Sequence, residues 1–286
     1  MSRVAYVNGL YVVHADAGVH VEDRGYQFGD GVYEVCEVRA GRMVDERRHM
    51  ERLVRSLREL RIRLPMPLHA LGVVLRETVR RNRVRDGFVY LQVTRGVARR
   101  DHYFPVPEVP PSVVVTARRV DAAKNEALAI EGVAVITVPE NRWDRVDIKT
   151  VGLLPNVLAK QAAREAGARE AWFVDADGHV TEGGSTNAWI VTQDGVLRTR
   201  PAEHGILRGI TRTVMFEVAE QLQLRIEERA FTVAEALAAR EAFLSSATTI
   251  AMPVVRIDGQ PIGGGSPGPV VRKLRELFHS VAEIAR

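Results

Sequence analysis

Four tight turns constrain this chain more than any other feature of its sequence. VAYVNGLYVV sets two β-rich runs on either side of Asn8-Gly9, and GVYEVCEVRAGRMV does the same around Ala40-Gly41. AWFVDADGHVTEG and NAWIVTQDGVLRT each turn at an Asp-Gly pair, Asp177-Gly178 and Asp194-Gly195. Glycine tolerates the positive φ that a short chain reversal needs, so each pattern specifies a hairpin of antiparallel neighbours. No repeating strand–helix–strand alternation accompanies them, which disfavours a doubly wound parallel sheet.

Helical periodicity fills the intervals. Met50, Leu53, Val54, Leu57 and Leu60 recur at helical spacing within 46–62, and a second amphipathic stretch, 68–79, is entered through Pro65 and Pro67. FVYLQVTRG and SVVVTARR read as strands. Between them lies VARRDHYFPVPEVPP, too long for a simple hairpin turn and of a length that is often functional. Apolar alternation lapses over 120–127. The pattern resumes with a strand at 133–138, a helix at 156–166 closed by Gly167, a helix at 211–223 and a last helix from Pro269. The expected fold is α+β, with antiparallel sheets and packed helices. Its expected domains are 1–119 and 128–286, with 120–127 as a linker.

Composition excludes several classes. The net charge is +4, but 36 acidic residues are interleaved with the basic ones, as in DERRHMERLVRSLREL, so no single-sign block marks a nucleic-acid surface. Neither a zinc-finger spacing nor an RNP aromatic motif occurs. The chain has no apolar run near the ~20 residues that span a bilayer, and MSRVAYVNG has no signal-peptide core. A lone cysteine, Cys36, forms no internal disulfide and suits a reducing cytoplasm. The eight histidines are scattered without metal-binding spacing, so no metal site is expected. Walker, Rossmann and Gly-x-Ser-x-Gly fingerprints are absent from the sequence.

Several residues could carry chemistry. Of 40 basic residues only Lys124, Lys149, Lys160 and Lys273 are lysines, which makes Lys149, in DIKTVGLLPN, conspicuous. A desolvated lysine amine loses its proton readily and can form a Schiff base. On local pattern alone a lysine snorkelling at a domain edge is the commoner explanation. Glu182, in VTEGGSTN, precedes small residues that let a ligand approach, or is a turn residue. GILRGITR runs from a loop into a helix, where the N–H groups of Gly209, Ile210 and Thr211 could meet a phosphate; Thr211 could equally be a plain N-cap. SSATT, 245–249, could cradle the same phosphate. Arg52 follows His49 by three positions on the first long helix, so both project to a similar side.

Seven blocks in order resemble the class IV aminotransferases, the pyridoxal-phosphate enzymes of fold type IV, over nearly the whole chain. They are EDRGYQFGDGVYEV, HMERL, YLQVTRG, DIK, VLAKQ, TEGGSTN and ILRGITR, and their best match is to the D-amino-acid transaminases. The resemblance implies that Lys149 forms the Schiff base with pyridoxal 5'-phosphate and carries the proton, while Lys160, in VLAKQ, is structural. It further implies that Glu182 pairs with the pyridine nitrogen, Leu207 packs on the ring, and Arg52, Ile210 and Thr211 hold the phosphate with Ala247 and Thr248. Tyr33, Arg100 and His102 match the residues that hold the substrate α-carboxylate, the last two on a loop from the partner subunit of a homodimer. Val35 matches a further substrate contact, and Arg99 is a neighbouring cation that competes with Arg100.

Three positions depart from the family pattern. Gly184 stands where some relatives have serine, Ala247 where they often have threonine, and Glu37 where one well-matching relative has lysine. The implied activity is cytoplasmic amino-group exchange between D-alanine or D-glutamate and the 2-oxo acids pyruvate or 2-oxoglutarate. Branched-chain L-amino-acid aminotransferase and 4-amino-4-deoxychorismate lyase are the alternatives within the class, and Arg100-Asp101-His102 favours the D-enzyme.

Overall fold

A computed structural model describes residues 3–203 and 205–285. Two compact units emerge. One holds the chain up to Ala122 together with Ile148–Gly152 and the segment from Glu283; the other holds Ala123–Asp147 and Leu153–Ala282. The division falls within 120–127, the segment expected as a linker. That segment also carries the first turns of a helix described below. Lys149 belongs to the first unit rather than to the C-terminal part of the chain, because its segment bonds to a strand there.

In the first unit, β1 (Val4–Val7), β2 (Leu10–Val13), α1 (Arg24–Phe28), β3 (Gly31–Arg39), β4 (Arg42–Met43), α2 (Glu46–Glu59), α3 (Leu68–Arg81), β5 (Gly87–Thr94) and β6 (Ser112–Arg119) follow one another. The six strands form one sheet in the order β2-β1-β6-β5-β3-β4, antiparallel at every step. Both two-residue turns have positive φ at each central residue: 45° and 102° at Asn8-Gly9, 49° and 82° at Ala40-Gly41. That is the backbone the right-handed strand twist selects for a hairpin.

Alternation along β3 sorts its side chains. Val32, Cys36 and Val38 join Val89, Leu91, Val93, Val113 and Val115 on the face covered by Leu53 and Leu57 of α2 and Leu71 and Leu75 of α3. Burial pushes the Cys36 thiol pKa well up. Tyr33, Val35 and Glu37 share the other, half-buried face, opposite Gln92, Tyr90 and Phe88 by register.

The second unit contains α4 (Ala122–Glu131), β7 (Val133–Pro139), α5 (Leu154–Glu165), β8 (Glu170–Val174), β9 (Val180–Gly183), β10 (Asn187–Val191), β11 (Leu197–Thr199), α6 (Ile210–Gln221), β12 (Ile226–Glu228), α7 (Val233–Leu237), β13 (Glu241–Ser246), β14 (Ile250–Ile257), β15 (Gln260–Pro261) and α8 (Pro269–Val281). Its sheet runs β12-β11-β10-β13-β14-β7-β8-β9, with β15 beside β14. The two Asp-Gly hairpins, β8–β9 and β10–β11, are antiparallel as their turns require. Three pairs are parallel: β7 with β8, β7 with β14, and β11 with β12. The sheet is therefore mixed, and β7–α5–β8 is a single crossover of the kind whose repetition the sequence lacks.

One face of this sheet buries Trp172, Val180, Ile190, Leu244, Met252 and Val254 with Phe231. Elsewhere in the unit Trp189 stacks on Phe243 at 5.3 Å between ring centres and meets Phe216 of α6 at 5.4 Å. No helix among the described residues is long and apolar enough to cross a membrane.

Candidate active site

The second unit gathers several expected residues around one carboxylate. Glu182 lies in β9, all four residues of which are buried. Arg142 Nη1 donates to its Oε1 at 2.6 Å, Asn187 Nδ2 to its Oε2 at 3.0 Å, and the Leu207 N–H faces both oxygens at 3.2 and 3.1 Å. Asn187 also donates to the Leu207 carbonyl at 2.9 Å, so one amide ties the start of β10 to the loop before α6. Gly209 permits this approach, since a Cβ there would collide with the Asn187 side-chain oxygen.

Arg142 holds a second acid. Its Nε and Nη2 donate to Glu140 at 2.9 and 2.6 Å, and its guanidinium lies 4.4 Å from the centre of the Phe173 ring. Burial opposes a charge on Arg142, but Glu140 and Glu182 outweigh it and raise its pKa. Burial likewise pushes the Glu140 carboxyl up, and Arg142 with the Thr181 hydroxyl brings it below its ordinary value. Glu182 thus faces a fixed cation and two N–H donors.

Helix α6 starts beside this cluster without a side-chain cap. Gly209 occupies the N-cap position, so the N–H groups of Ile210 and Thr211 have no acceptor within the helix. Thr211 is not the N-cap, as one reading of the sequence had it. It is the second helical residue, and among the described residues its hydroxyl makes no hydrogen bond. Uncommitted donors at the positive end of a helix are what a phosphate dianion requires.

Ser245 pairs with Asn187 across β13 and β10, which sets the 246–249 turn at the same end of the sheet. In that turn the Ser246 hydroxyl bonds those of Thr248 and Thr249 at 3.0 and 2.9 Å, and Ala247 offers only its backbone. Gly184 also has a local reason: a Cβ there would press on Lys160 Cδ at 3.0 Å and Glu170 Oε1 at 3.1 Å.

The two candidate lysines differ in what their amines touch. Lys160 Nζ lies 3.1 Å from buried Glu170 and donates to the Arg169 carbonyl at 3.1 Å. Lys149 belongs to the first unit, where Tyr33 N–H donates to its carbonyl at 3.0 Å and Thr150 bridges to Val32. Its half-buried amine makes no hydrogen bond or ion pair among the described residues and lies 4.1 Å from the centre of the Tyr33 ring. Tyr33 in turn stacks on Tyr90 at 5.6 Å, with Val35 two residues along on the same face. Burial, then the neighbouring Tyr33, pushes the Tyr90 hydroxyl pKa up to about 12, and that hydroxyl donates to Gln92 at 2.6 Å.

Arg52 projects from α2 onto the opposite face of β3. Its Nε and Nη2 clasp Glu34 at 2.8 Å each, while His49 Nδ1 meets the same carboxylate at 2.7 Å. Burial of Glu34 acts to raise its pKa, yet Arg52 and then His49 hold it at about 2. His49 and Arg52 do share a side of their helix, and Glu34, missed in the sequence, is the reason.

Arg100 and His102 stand on the exposed 97–111 loop around one ring. The Arg100 guanidinium lies 5.1 Å from the centre of Phe28, and the His102 ring lies 5.6 Å from it. Among the described residues Arg99 has no such contact, which separates the two neighbouring cations. Arg142 and Asn187 escaped sequence reasoning because their partner lies 40 and 5 residues away in the chain with no periodic pattern to join them. Asp175, Asp177 and His179 bring three ligand atoms within 4.8 Å of one another. Asp175 is already engaged by Arg200 at 2.7 Å and by the N–H groups of Asp177 and His179, as the hairpin turn requires.

Comparison with known proteins gives a consistent result. The family described as amino-transferase class IV matches residues 31–257. The D-alanine aminotransferase of Staphylococcus haemolyticus is 39% identical over 284 residues, covering 99% of each chain. Among solved structures, the branched-chain amino acid aminotransferase of Escherichia coli superposes with a TM-score of 0.91 at 25% identity, covering 98% of this chain and 95% of that one. The T.th. enzyme of the same name, in a structure with pyridoxamine 5'-phosphate, gives 0.89 at 28% identity, covering 98% and 94%.

Proposed function

The chain belongs to the class IV aminotransferases, and from that premise we propose that it is a pyridoxal-phosphate-dependent D-amino-acid transaminase. It exchanges the amino group of D-alanine or D-glutamate with pyruvate or 2-oxoglutarate. The observation that carries this reading is the relation to the D-alanine aminotransferase above, 39% identical end to end, against 25% and 28% for the two branched-chain structures above.

The residues suit the cofactor. An uncapped helix with a free Thr211 hydroxyl fits its phosphate, and the unbonded amine of Lys149 fits its carbonyl carbon. When bound, the cofactor supplies an electron sink for the pair left as the substrate Cα–H bond breaks. Lys149 Nζ accepts that proton and returns it later in the cycle. Glu182, which Arg142 meets at 2.6 Å, would hold a proton on the ring nitrogen. Leu207 would pack on the ring, and Ile210, Thr211 and the 247–248 backbone would hold the phosphate; the resemblance adds Arg52 to the phosphate, and Tyr33, Arg100 and His102 to the substrate carboxylate with Val35 beside its side chain. A bidentate guanidinium with two further donors matches a carboxylate well.

A homodimer completes the reading. Tyr103 and Val106, 80% and 95% exposed, put large side chains in water on the 97–111 loop, which suits a second copy of the chain better than water. Mixing inactive Arg100→Leu and Lys149→Ala proteins should restore activity if the loop serves the partner's site; no recovery in demonstrated mixed dimers counts against it. The same reading sets the enzyme in the cytoplasm, consistent with one free, buried cysteine, and cell fractionation tests it.

Half-reactions followed by absorbance decide the stereochemistry. D-alanine should convert the lysine-bound cofactor to its amine form. Conversion by L-leucine alone would sink the D-specific reading in favour of the branched-chain one.

A further inference from the structure

Two buried arginines hold the base of the loop that carries Arg100 and His102. Asp30 bridges them: its Oδ2 accepts from Arg24 Nε at 2.8 Å and Arg95 Nε at 2.7 Å, and its Oδ1 from Arg95 Nη2 at 3.0 Å. One carboxylate cannot neutralise two guanidinium groups, and their remaining N–H groups turn to backbone carbonyls. Arg95 donates to Leu60 and Arg61 at 2.7 and 3.0 Å and covers Phe104 at 3.7 Å. Arg24 Nη1 donates to the carbonyl of Asp101 at 2.6 Å.

Asp101 is the residue between Arg100 and His102. Arg24 also lies 4.8 Å from the centre of Phe28, the ring that meets both Arg100 and His102. A single side chain therefore fixes the backbone between the two loop residues and backs the ring against which both rest. Asp23 secures the start of this arrangement, capping the Gly25 N–H at 2.9 Å and accepting from the Thr94 hydroxyl at 3.0 Å.

We propose that Arg24 is a positioning residue for substrate-carboxylate recognition, setting Arg100 and His102 through the Asp101 carbonyl and the Phe28 ring. The inference rests on the reading of Arg100 and His102 given above. Lysine cannot take this place, because one Nζ does not reproduce a planar fork that reaches Asp30 and Asp101 together.

The experiment compares holoenzyme carrying Arg24→Lys, Phe28→Leu or Arg100→Leu with the parent, measuring kcat and KM for D-alanine and calorimetric binding of propionate. Arg24→Lys should raise KM and the propionate dissociation constant roughly ten- to hundredfold, as misplaced binding groups do. Its kcat should change less than about threefold, the pattern of lost uniform binding. Phe28→Leu should shift both quantities in the same direction by a smaller factor, and it decides the matter if Arg24→Lys does not fold. Unchanged KM and propionate binding in the folded variants, with Arg100→Leu impaired, overturns this inference alone. Unchanged propionate binding in Arg100→Leu removes the carboxylate reading and the inference with it.

Discussion

Replacing Glu34 by Gln removes the charge that the His49 and Arg52 side chains share while preserving its shape. In the folded protein this carboxyl titrates at about 2, against 4.5 when free, because Arg52 and His49 overcome its burial. The difference of about 2.5 pH units corresponds to about 3 kcal/mol at 1.36 kcal/mol per unit. Removing one partner of a buried pair gives a similar figure by a separate route, about 3–5 kcal/mol, since Arg52 is left with an unneutralised charge. Glutamine keeps one acceptor oxygen but turns an NH₂ group toward other donors.

A depressed folded-state pKa contributes stability that is complete above the unfolded value and is lost as pH falls through the folded one. The gap between parent and Glu34→Gln should therefore be full at pH 7 and shrink from about pH 4.5 toward 2. Urea unfolding measures it, and the chain supplies separate probes. All six tyrosines lie in the first unit and all three tryptophans in the second, so tyrosine absorbance reports the unit that contains Glu34. A gap under about 1 kcal/mol at pH 7, or one that is the same at pH 3, would refute the reasoning.

Lys149→Ala should abolish the absorbance of lysine-bound cofactor and lower turnover by at least about a thousandfold, whereas Lys160→Ala, whose amine bonds Glu170 and the Arg169 carbonyl, should keep the band. Loss of the band in Lys160→Ala alone would reverse the assignment. Arg142→Met should destabilise the second unit by about 3–5 kcal/mol, read by tryptophan fluorescence, because Glu140 and Glu182 lose a shared cation.

The hairpins were legible because a two-residue turn is a local event: Asn8-Gly9 and Ala40-Gly41 need only their own φ values, and both adopt them. The long helices were legible for the same reason, their apolar spacing being local. Helix α4 was not, since Ala129 is its only buried residue and so no stripe announces it. The parallel pairing of β7 with β14 was hidden more deeply, because it joins strands more than 110 residues apart without a turn.

The candidate site divides along the same line. Lys149 stood out because an arginine-rich chain spares few lysines, and Arg52, Glu182 and Thr211 because their blocks resemble a family. What partners the charged candidates is non-local: Glu34 under Arg52, Arg142 against Glu182, and Arg24 behind the Phe28 ring that meets Arg100. Each is a charged group removed from water, and such a group persists only where a partner from another element neutralises it. A sequence read one segment at a time records the charge but not the partner. The supporting arginines of this chain therefore looked like surface until the sheets brought their acids to them.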